Sequence, residues 1–292
     1  MGGMFGESKF HILEKIPSRY KPVTQLVTVP STTDQVVKIL QDANIQFPAI
    51  FKPDLGERGF MVKRINSRNE IDAYLASVNV NFIAQELIDL PLEFGVFYTR
   101  FPTQDHGNVT SITMKEMLFV TGDGNSTLRE LIFRKDRAKL QWNNLKETYR
   151  ARLEDVIPRD EKIELVSIGN HCLGTKFINA NHLINKHLSN TFDKISKAIP
   201  GFYIGRFDLR CESIEHLYDG NVKIMELNGC GAEPAHVYHP GFPFFKAVRT
   251  FCEHWRNIFN IARENERLGT RYTTTREAYR YYKLFKAAQG KA

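Results

Sequence analysis

The first 90 residues of the chain carry their apolar positions in short segments that alternate between strand and helix patterns. Compact apolar segments over 25–29, 47–51, 60–65 and 81–87 predict strands, because polar residues, Pro or Gly bound them. Helical patterns cover 8–15, 31–43 and 67–76, and Ser67 followed by Glu70 predicts a capping box on the last of these. After the first helix the order is β-α-β-β-α-β, which is typical of a small α+β unit.

The rest of the chain predicts a second, larger α+β unit. Strand patterns cover 93–101, 109–120, 162–168, 202–211 and 222–228, and helical patterns cover 126–155, 181–199, 244–263 and 273–286. The predicted fold class is therefore α+β. We expect four parts: a helical lead-in over 1–22, a small subdomain over 23–90, a large subdomain over 91–265 and a basic C-terminal helix over 266–292.

Composition narrows the class of protein without choosing a function. The chain has 292 residues, 42% hydrophobic and 25% charged, as in ordinary globular proteins. No apolar segment approaches the roughly 20 residues of a membrane-spanning helix, and the N-terminus lacks the apolar core of a signal peptide. The cysteines are far apart and form no C-x-x-C pair, so we expect a reducing, cytoplasmic setting. They are Cys172, Cys211, Cys230 and Cys252.

The net charge of +7 is compatible with two kinds of anionic ligand. The basic residues are scattered, apart from a tail over 263–291, and no known nucleic-acid-binding motif accompanies them. Anionic small molecules such as ATP account for the charge equally well. We therefore do not expect a nucleic-acid partner, and binding of nucleic acid by the tail stays an alternative.

Polar residues near the ends of two predicted strands carry the strongest chemical signal. Arg206 and Asp208 lie two apart in one strand, and Glu226 and Asn228 lie two apart in another. Side chains two apart point to the same face, so pairing of these strands would bring all four together. Asp, Glu and Asn oxygens suit Mg²⁺, and a neighbouring Arg suits a phosphoryl group in transfer. The alternative is a structural Arg206–Asp208 ion pair, with Glu226 and Asn228 capping a turn.

Two weaker signals lie in the first 93 residues. Lys52 ends a strand before a loop with Gly56 and Gly59, where a lysine can bind phosphate and glycines allow close backbone approach. The Walker A and G-x-G-x-x-G patterns are absent, so an exposed lysine before a flexible turn is the alternative. Glu86 could accept from an adenine amino group and Glu93 from ribose hydroxyls, although isolated glutamates are commonly solvated.

Taken in order, these motifs resemble the ATP-grasp superfamily, and within it the D-alanine–D-alanine ligase branch. The resemblance extends from about Lys9 to about Arg249, and the segment VTGDGNSTLRELI over 120–132 is more similar to cyanophycin synthetase and bifunctional glutathione synthetase. It implies that two α+β subdomains clamp ATP, with Mg²⁺, or Mn²⁺ in its place, at the phosphates. It also implies that ATP activates a carboxylate as an acyl phosphate, which an amine then attacks.

The resemblance also implies roles for individual residues. The implied phosphate-binding residues are Lys9 (or, as a weaker candidate, Lys15), Lys52 and a mobile loop from Gly56 to Gly59. The implied adenine-binding residues are Glu86, Leu87 and Ile88, and the implied ribose-binding residue is Glu93. The implied Mg²⁺ ligands are Asp208, Glu226 and Asn228, with Arg206 stabilising the acyl phosphate. The segment 170–176 falls where the family has a loop that reaches the γ-phosphate, which makes His171 and Lys176 candidate catalytic residues; an ordinary loop histidine is an equal alternative for His171.

Two departures from the family pattern concern the substrates. The family usually has a further N-terminal α/β domain, and we expect that domain to be absent, truncated or supplied by a partner here. The loop over 229–241 is rich in histidine, unlike the corresponding part of D-alanine ligases. We expect its Glu233, His236 and His239 to contact the carboxylate substrate, with a structural loop or a zinc site as the alternatives.

The leading hypothesis from the sequence is thus a carboxylate–amine ligase that acts on small molecules. A small-molecule kinase of the same superfamily and a nucleotide-binding module without catalysis are the alternatives. The tyrosines of the C-terminal tail indicate helix packing or a homodimer contact.

Overall fold

The computed structural model describes residues 6–56, 59–166, 169 and 174–290, with side chains up to 286. The helices are α1 (Lys9–Glu14), α2 (Thr33–Asp42), α3 (Asn69–Ser77), α4 (Leu128–Arg134), α5 (Asp136–Lys139), α6 (Trp142–Thr148), α7 (Lys186–Lys197), α8 (Ile214–Asp219), α9 (Phe244–Arg267) and α10 (Thr275–Gly290). The strands are β1 (Thr24–Val27), β2 (Ala49–Pro53), β3 (Lys63–Ile65), β4 (Phe82–Glu86), β5 (Leu92–Thr99), β6 (Asn108–Glu116), β7 (Leu118–Thr121), β8 (Lys162–Val166), β9 (Lys176–Asn179), β10 (Ile204–Cys211) and β11 (Val222–Asn228). This mixture of helices and largely antiparallel sheets confirms the predicted α+β class.

The chain divides into two compact units. The first comprises the residues up to Met114 together with those from Ile178 onward, and the second is Lys115–Phe177. The predicted boundary near residue 90 falls inside the first unit. The second unit contains a two-stranded sheet of β7 and β8, and its own core is formed by residues of those strands and of α4 to α6.

A four-stranded sheet in the order β1-β4-β2-β3 is formed by residues 24–86. Its strands bury alternate residues such as Phe51, Phe82 and Ala84 in a core that includes Val36 and Leu40 of α2 and Ile71 and Tyr74 of α3. Because side chains alternate along a strand, Lys52 and Gln85 point to the opposite face of this sheet. Pairing of β2 with β4 brings these two residues within hydrogen-bonding distance, at 3.1 Å.

A five-stranded sheet in the order β11-β10-β5-β6-β9 has two unlike faces. One face packs into the largest apolar core of the described residues, which also includes residues of α7 and α8. That face is formed by Phe94, Val96, Tyr98, Val109, Ile112, Phe207, Leu209, Cys211, Ile224 and Leu227. The alternate residues of the same strands form what we call the polar face: Glu93, Gly95, Phe97, Ser111, Thr113, Arg206, Asp208, Arg210, Glu226 and Asn228.

The predicted helix boundaries fail at three places for local reasons. The Ser67 capping box is wrong: α3 begins at Asn69 after Arg68, which makes no side-chain cap, and Glu70 accepts from the Asn66 N–H at 3.0 Å instead. The predicted helix from Asn181 starts only at Lys186, because Asn185 caps it by accepting from Leu188 N–H. The region over 126–155 contains three short helices rather than one long one.

One predicted strand is shorter than its apolar pattern indicated. The segment from Phe60 to Ile65 is a strand only from Lys63, because Met61 has a positive φ of 52° that no regular strand contains. Thr32 forms the capping box of α2 with Gln35, so α2 begins at Thr33, two residues after the start of the predicted helical pattern.

The C-terminal part of the chain is helical. In α9, His254 and Ile261 are buried, while Phe244, Trp255 and Phe259 are exposed. The basic tail forms α10, as predicted, and Phe285 of this helix is buried. Among the described residues, no helix is both long enough and apolar enough to span a membrane.

Candidate active site

The pairing of β10 with β11 brings together the four polar residues that the sequence singled out. Arg206 lies opposite Asn228 and Asp208 lies opposite Glu226 in the antiparallel register. The Asp208 carboxylate, only 7% exposed, accepts from Arg206 Nε at 3.0 Å and Nη2 at 3.2 Å, and from Asn228 Nδ2 at 3.1 Å. The predicted convergence of these side chains is therefore observed, and it includes the Arg206–Asp208 ion pair of the alternative interpretation. Their roles toward a metal or a phosphoryl group stay predictions.

Gly95, which was not predicted from the sequence, makes room for the Arg206–Asp208 pair. It lies opposite Asp208 on β5. A Cβ atom at this position would lie 3.1 Å from Arg206 Cδ and 3.3 Å from Asp208 Oδ1, which is closer than ordinary packing. A glycine inside a buried strand often marks such a close approach, so this signal was present in the sequence.

Lys52 of the four-stranded sheet lies next to the same group of residues. Its Nζ donates to Gln85 Oε1 and to the Met225 carbonyl, both at 3.1 Å, and Met225 precedes Glu226 in β11. Burial lowers the pKa of Lys52 to about 8, although the nearby carboxylates of Glu226 and Asp208 oppose this. The side chain is 7% exposed, so the alternative of an exposed lysine before a turn is wrong.

Lys9 and the loop after β2 lie near Lys52. Lys9 Nζ donates to the Gly56 carbonyl, and its charge contributes to the lowered pKa of Lys52. The start of α1 is held at this loop by Asp54, whose Oδ1 accepts from Ser8 Oγ and from the Phe10 N–H, each at 2.9 Å. Asp54 is 8% exposed and was not predicted from the sequence, where an Asp after Pro indicates only a turn.

The loop between Gly56 and Gly59 is described at its ends only. Gly59 has a φ of 74°, which favours glycine over other residues. The residues between these two glycines lie outside the described part of the chain.

The two predicted nucleotide-binding glutamates make specific contacts in the protein. Glu86 accepts from the Val23 N–H at 3.0 Å and is partly buried. Glu93 is 6% exposed and accepts from Arg210 Nε at 2.9 Å, so the alternative of a solvated glutamate is wrong for this residue. Arg210 also donates to the carbonyl of Ile88 at 3.0 Å, and the partly buried Leu87 precedes Ile88.

Arg210 is a second site residue that was not predicted from the sequence. It lies two residues after Asp208 and four after Arg206 on the same strand, so all three share the polar face. That spacing is visible in the sequence, but only the register opposite Glu93 shows which carboxylate Arg210 contacts.

The loop over 229–241 contacts the polar face. The Glu233 carbonyl accepts from Arg206 Nη1 at 3.3 Å, and the Glu233 carboxylate accepts from Tyr238 Oη. His236 is 5% exposed, its Nδ1 lies 2.7 Å from Ser111 Oγ, and burial lowers its pKa. His239 Nδ1 accepts from the Asn179 N–H at 3.3 Å.

These contacts do not support a zinc site in the loop. The Nδ1 atoms of His236 and His239 already have protein partners. In the ranges that the structure describes, no three His, Cys, Asp or Glu side chains are placed to hold a metal ion. The donor set around Asp208 differs from such a group, because it combines two carboxylates with the Asn228 amide. It fits Mg²⁺, which usually takes one or two carboxylates and completes its shell with water and phosphate oxygens.

The two remaining predicted catalytic residues are Lys176 and His171, and their roles stay predictions. Lys176 is in the second unit, where its Nζ lies 3.7 Å from Glu116 Oε2. His171 lies outside the described residues.

Comparisons with known proteins gave matches only among solved structures. No protein-family model matches the chain, and no curated protein matches it. A bifunctional glutathione synthetase from Pasteurella multocida is 17% identical with a TM-score of 0.36, and the match covers 75% of this chain and 31% of that one. A D-Ala:D-Ser ligase from Enterococcus faecalis is 13% identical with a TM-score of 0.49, over 88% of this chain and 62% of that one.

A D-alanine–D-alanine ligase from Bacillus anthracis is a further match. It is 12% identical with a TM-score of 0.46, over 89% of this chain and 67% of that one. The chain therefore spans less than two thirds of the length of the first two structures, at 31% and 62%.

Proposed function

We propose that the protein is an ATP- and Mg²⁺-dependent ligase of the ATP-grasp type, which activates a small carboxylate as an acyl phosphate and joins it to an amine. One observation carries this proposal. Lys52 of the four-stranded sheet reaches the Met225 carbonyl of the five-stranded sheet, beside Arg206, Asp208, Glu226 and Asn228. A buried lysine, a partly buried arginine and two carboxylates at one place suit a nucleoside triphosphate with its metal ion.

The nucleotide would bind along the edge between these groups. Lys9 and Lys52 would bind phosphate oxygens, together with backbone N–H groups of the loop from Gly56 to Gly59. Glu86 and the backbone of Leu87 and Ile88 would bind adenine, and Glu93 would bind ribose. The contacts of Glu86 with the Val23 N–H and of Glu93 with Arg210 hold both carboxylates in place before a ligand arrives.

The residues that would hold Mg²⁺ are Asp208, Glu226 and Asn228. The bond from Asn228 Nδ2 to Asp208 orients the amide so that its oxygen remains as a donor to a cation. When bound, Mg²⁺ would offset the charge of the phosphates.

Arg206 would act at the point of phosphoryl transfer. A substrate carboxylate oxygen forms a bond to the γ-phosphorus, and ADP leaves. An amine then bonds to the acyl carbon, and phosphate leaves with the electron pair of the broken C–O bond. The guanidinium of Arg206, held by Asp208 and by the Glu233 carbonyl, would offset the negative charge that develops on the transferred group in both steps.

Calorimetric binding of a non-hydrolysable ATP analogue tests the nucleotide site. We expect Mg²⁺-dependent binding by the wild type, weakened by Asp208→Asn and by Lys52→Ala. Lys38→Ala is the matched control, because Lys38 is on α2, which packs against the four-stranded sheet, and is not part of the site. Absence of Mg²⁺-dependent binding by a folded wild type contradicts the proposal.

A screen of carboxylic acids with hydroxylamine tests the reaction. An activated acid is trapped as a hydroxamate with stoichiometric release of ADP. Transfer of phosphate to a stable product, without trapping, would identify the kinase alternative instead.

A further inference from the structure

Two buried polar atoms at the polar face have no hydrogen-bond partner among the described residues: Thr113 Oγ1 of the face itself and His254 Nε2 of α9. Thr113 is 1% exposed and His254 is 6% exposed. Buried side-chain atoms of this kind are nearly always paired, so an unpaired one indicates a ligand or a water at that place. The other two such atoms, Arg100 Nε and Ser196 Oγ, are not on the polar face.

Thr113 lies next to the Arg206–Asp208 pair. Its Cα is the register partner of Gly95 on β5, and the Arg206 and Asp208 side chains lie over Gly95. The Thr113 hydroxyl is therefore one strand away from the proposed point of phosphoryl transfer, on the same face of the sheet.

His254 reaches the same face from α9. Its ring packs edge-on against the Phe97 ring, with 5.1 Å between the centroids, and Phe97 is the register partner of Arg206. Burial lowers the pKa of His254 and keeps the ring neutral, against an opposing hydrogen bond to the Ala232 backbone. A neutral imidazole that donates one N–H to a carbonyl has an acceptor lone pair on its other nitrogen, which here is Nε2.

Glu233 supplies a negative charge at this place. Its carboxylate acts electrostatically on both His254 and Arg206, and it follows Ala232 in the loop that both side chains contact. A carboxylate beside a neutral histidine acceptor suits a ligand group that arrives with N–H donors and a positive charge.

We propose that this part of the polar face binds the acceptor amine, with Glu233 as its counter-charge, Thr113 Oγ1 bonding a second polar group of the same molecule, and His254 Nε2 taking the proton of the amine. The inference rests on the ligase function proposed above. The ligand class is a small polar amine with a second hydrogen-bonding group, such as an amino acid or an amino alcohol.

The amine arrives as an ammonium ion and loses two protons in all. His254 Nε2 takes the first, which frees the nitrogen lone pair for the bond to the acyl carbon, and the C–O bond to phosphate breaks with its electron pair on the phosphate. The departing phosphate takes the second proton, and the imidazolium of His254 is stabilised by Glu233 and by the Ala232 carbonyl.

A comparison of hydroxylamine with an alkyl amine separates the proton transfer to His254 from the activation of the acid. Hydroxylamine is uncharged near neutral pH and a strong nucleophile, so it needs less help from a base than an alkyl amine does. In His254→Phe, which keeps the contact with Phe97, we expect condensation with the amine to fall about 100-fold or more. We expect hydroxylamine-dependent ADP release to fall far less. Thr113→Val should reduce condensation about tenfold through a raised KM for the amine, and Ser196→Ala is the control that should change neither reaction.

A measurement on the protein without substrate tests the geometry independently. In ¹⁵N-histidine NMR spectra, His254 should show a protonated Nδ1 and an Nε2 resonance typical of an unpaired acceptor. Titration with glycine or ethanolamine, with the non-hydrolysable ATP analogue and Mg²⁺ present, should shift the Nε2 resonance in the wild type but not in Glu233→Gln.

The outcomes separate this inference from the proposed function. Equal losses of amine- and hydroxylamine-dependent turnover in His254→Phe overturn the inference while the ligase function stands. An Nε2 that is hydrogen-bonded or protonated in the ligand-free protein, or an Nε2 that neither probe shifts, also overturns it. Failure of the wild type to bind the ATP analogue refutes the proposed function itself.

Discussion

The two faces of the five-stranded sheet are built from alternate residues of the same strands, yet their buried acids are bound in different ways. Asp193 of α7 lies at the apolar face, beside Tyr98 of β5, and Asp208 of β10 lies on the polar face. Asp193 accepts from Tyr98 Oη at 2.5 Å, Gly107 N–H at 2.9 Å and Lys197 Nζ at 2.8 Å, and it lies 3.1 Å from His106 Nδ1. These bonds lower the pKa of Asp193 to about 2, although burial opposes them.

The groups around Asp208 are chemically different. Its partners Arg206 and Asn228 are themselves candidates for ligand binding, and Lys52 and Glu226 lie beside it. An acid that is saturated by hydroxyl, backbone and lysine donors serves the fold. An acid that shares its site with two cations, a carboxylate and an amide can exchange those contacts for a metal ion and phosphates. Burial alone therefore does not distinguish the two roles, and the chemistry of the partners does.

The largest expected effect comes from Asp208→Asn. The substitution keeps the shape of the side chain but removes the charge that binds Arg206 and would bind Mg²⁺, so we expect ATP-dependent turnover to fall on the order of 10²–10³-fold. The free energy of unfolding should change little, because the charge of Arg206 remains close to Glu226 and Glu233. Steady-state kinetics and urea unfolding measure the two effects. Unchanged kcat/KM would place the metal elsewhere.

Lys52→Met should lower function and raise stability together. We expect the affinity for the ATP analogue to fall roughly 10- to 100-fold, since the proposed phosphate contact of Lys52 is lost. The pKa of Lys52 is lowered to about 8, so the unfolded chain binds its proton more tightly than the folded chain does. Burial of the charged lysine therefore lowers the free energy of unfolding by its full amount when the pH is below about 8. This cost decreases as the pH rises from about 8 toward 10.5.

The free energy of unfolding of Lys52→Met tests whether burial of the charged lysine costs stability. At pH 7 the variant should be more stable than the wild type by about 1–3 kcal/mol, and the difference should shrink above pH of about 8. The bonds of Lys52 to Gln85 and Met225 reduce the gain but do not reverse it. A variant less stable than the wild type at pH 7 would show that those bonds outweigh the desolvation of the ammonium group.

Asp193→Asn should lower stability and leave function unchanged, which is the opposite of what we expect for Asp208→Asn. The pKa of Asp193 is lowered to about 2, so its contribution to stability is complete above the unfolded value of about 4 and is lost as the pH falls toward 2. We expect the variant to lose about 2 kcal/mol of stability at pH 7 and to keep ATP-analogue affinity. The difference in free energy of unfolding between variant and wild type should decrease when it is measured from pH 7 down to pH 3. A loss of affinity without a loss of stability would contradict a structural role.

The smallest expected effects compare neighbouring residues of β5 that point to opposite faces. Gly95→Ala places a Cβ 3.1 Å from Arg206 Cδ, so the arginine must shift by a few tenths of an ångström. We expect kcat to fall about tenfold and stability by about 1 kcal/mol. Val96→Ala leaves a cavity in the apolar core, so stability should fall by about 1–3 kcal/mol with kcat nearly unchanged. Equal kinetic effects of both substitutions would remove the distinction between the faces.

Much of the fold could be predicted from local patterns along the chain. The alternation of apolar and polar residues indicated β10 and β11 with errors of at most two residues, and the helical pattern over 31–43 indicated α2 with errors of the same size. The Ser67 capping box failed because Asn66 competes for the Glu70 carboxylate, a choice between two equally local partners. Caps and strand periodicity depend on residues within a few positions of one another, which is why sequence reasoning works for them.

Residue types and spacing also determined which side chains were candidates for the site. Arg206, Asp208, Glu226 and Asn228 were identifiable because charged and amide side chains at the ends of apolar strands need partners. Which partners they have was decided by the tertiary structure alone. The register of β10 between β5 and β11 places Asp208 beside Asn228, and the contact between two sheets brings Lys52 to Met225, which is 173 residues away along the chain. Strand register and sheet packing follow from the burial of whole faces across the fold, and no local pattern in the sequence carries that information.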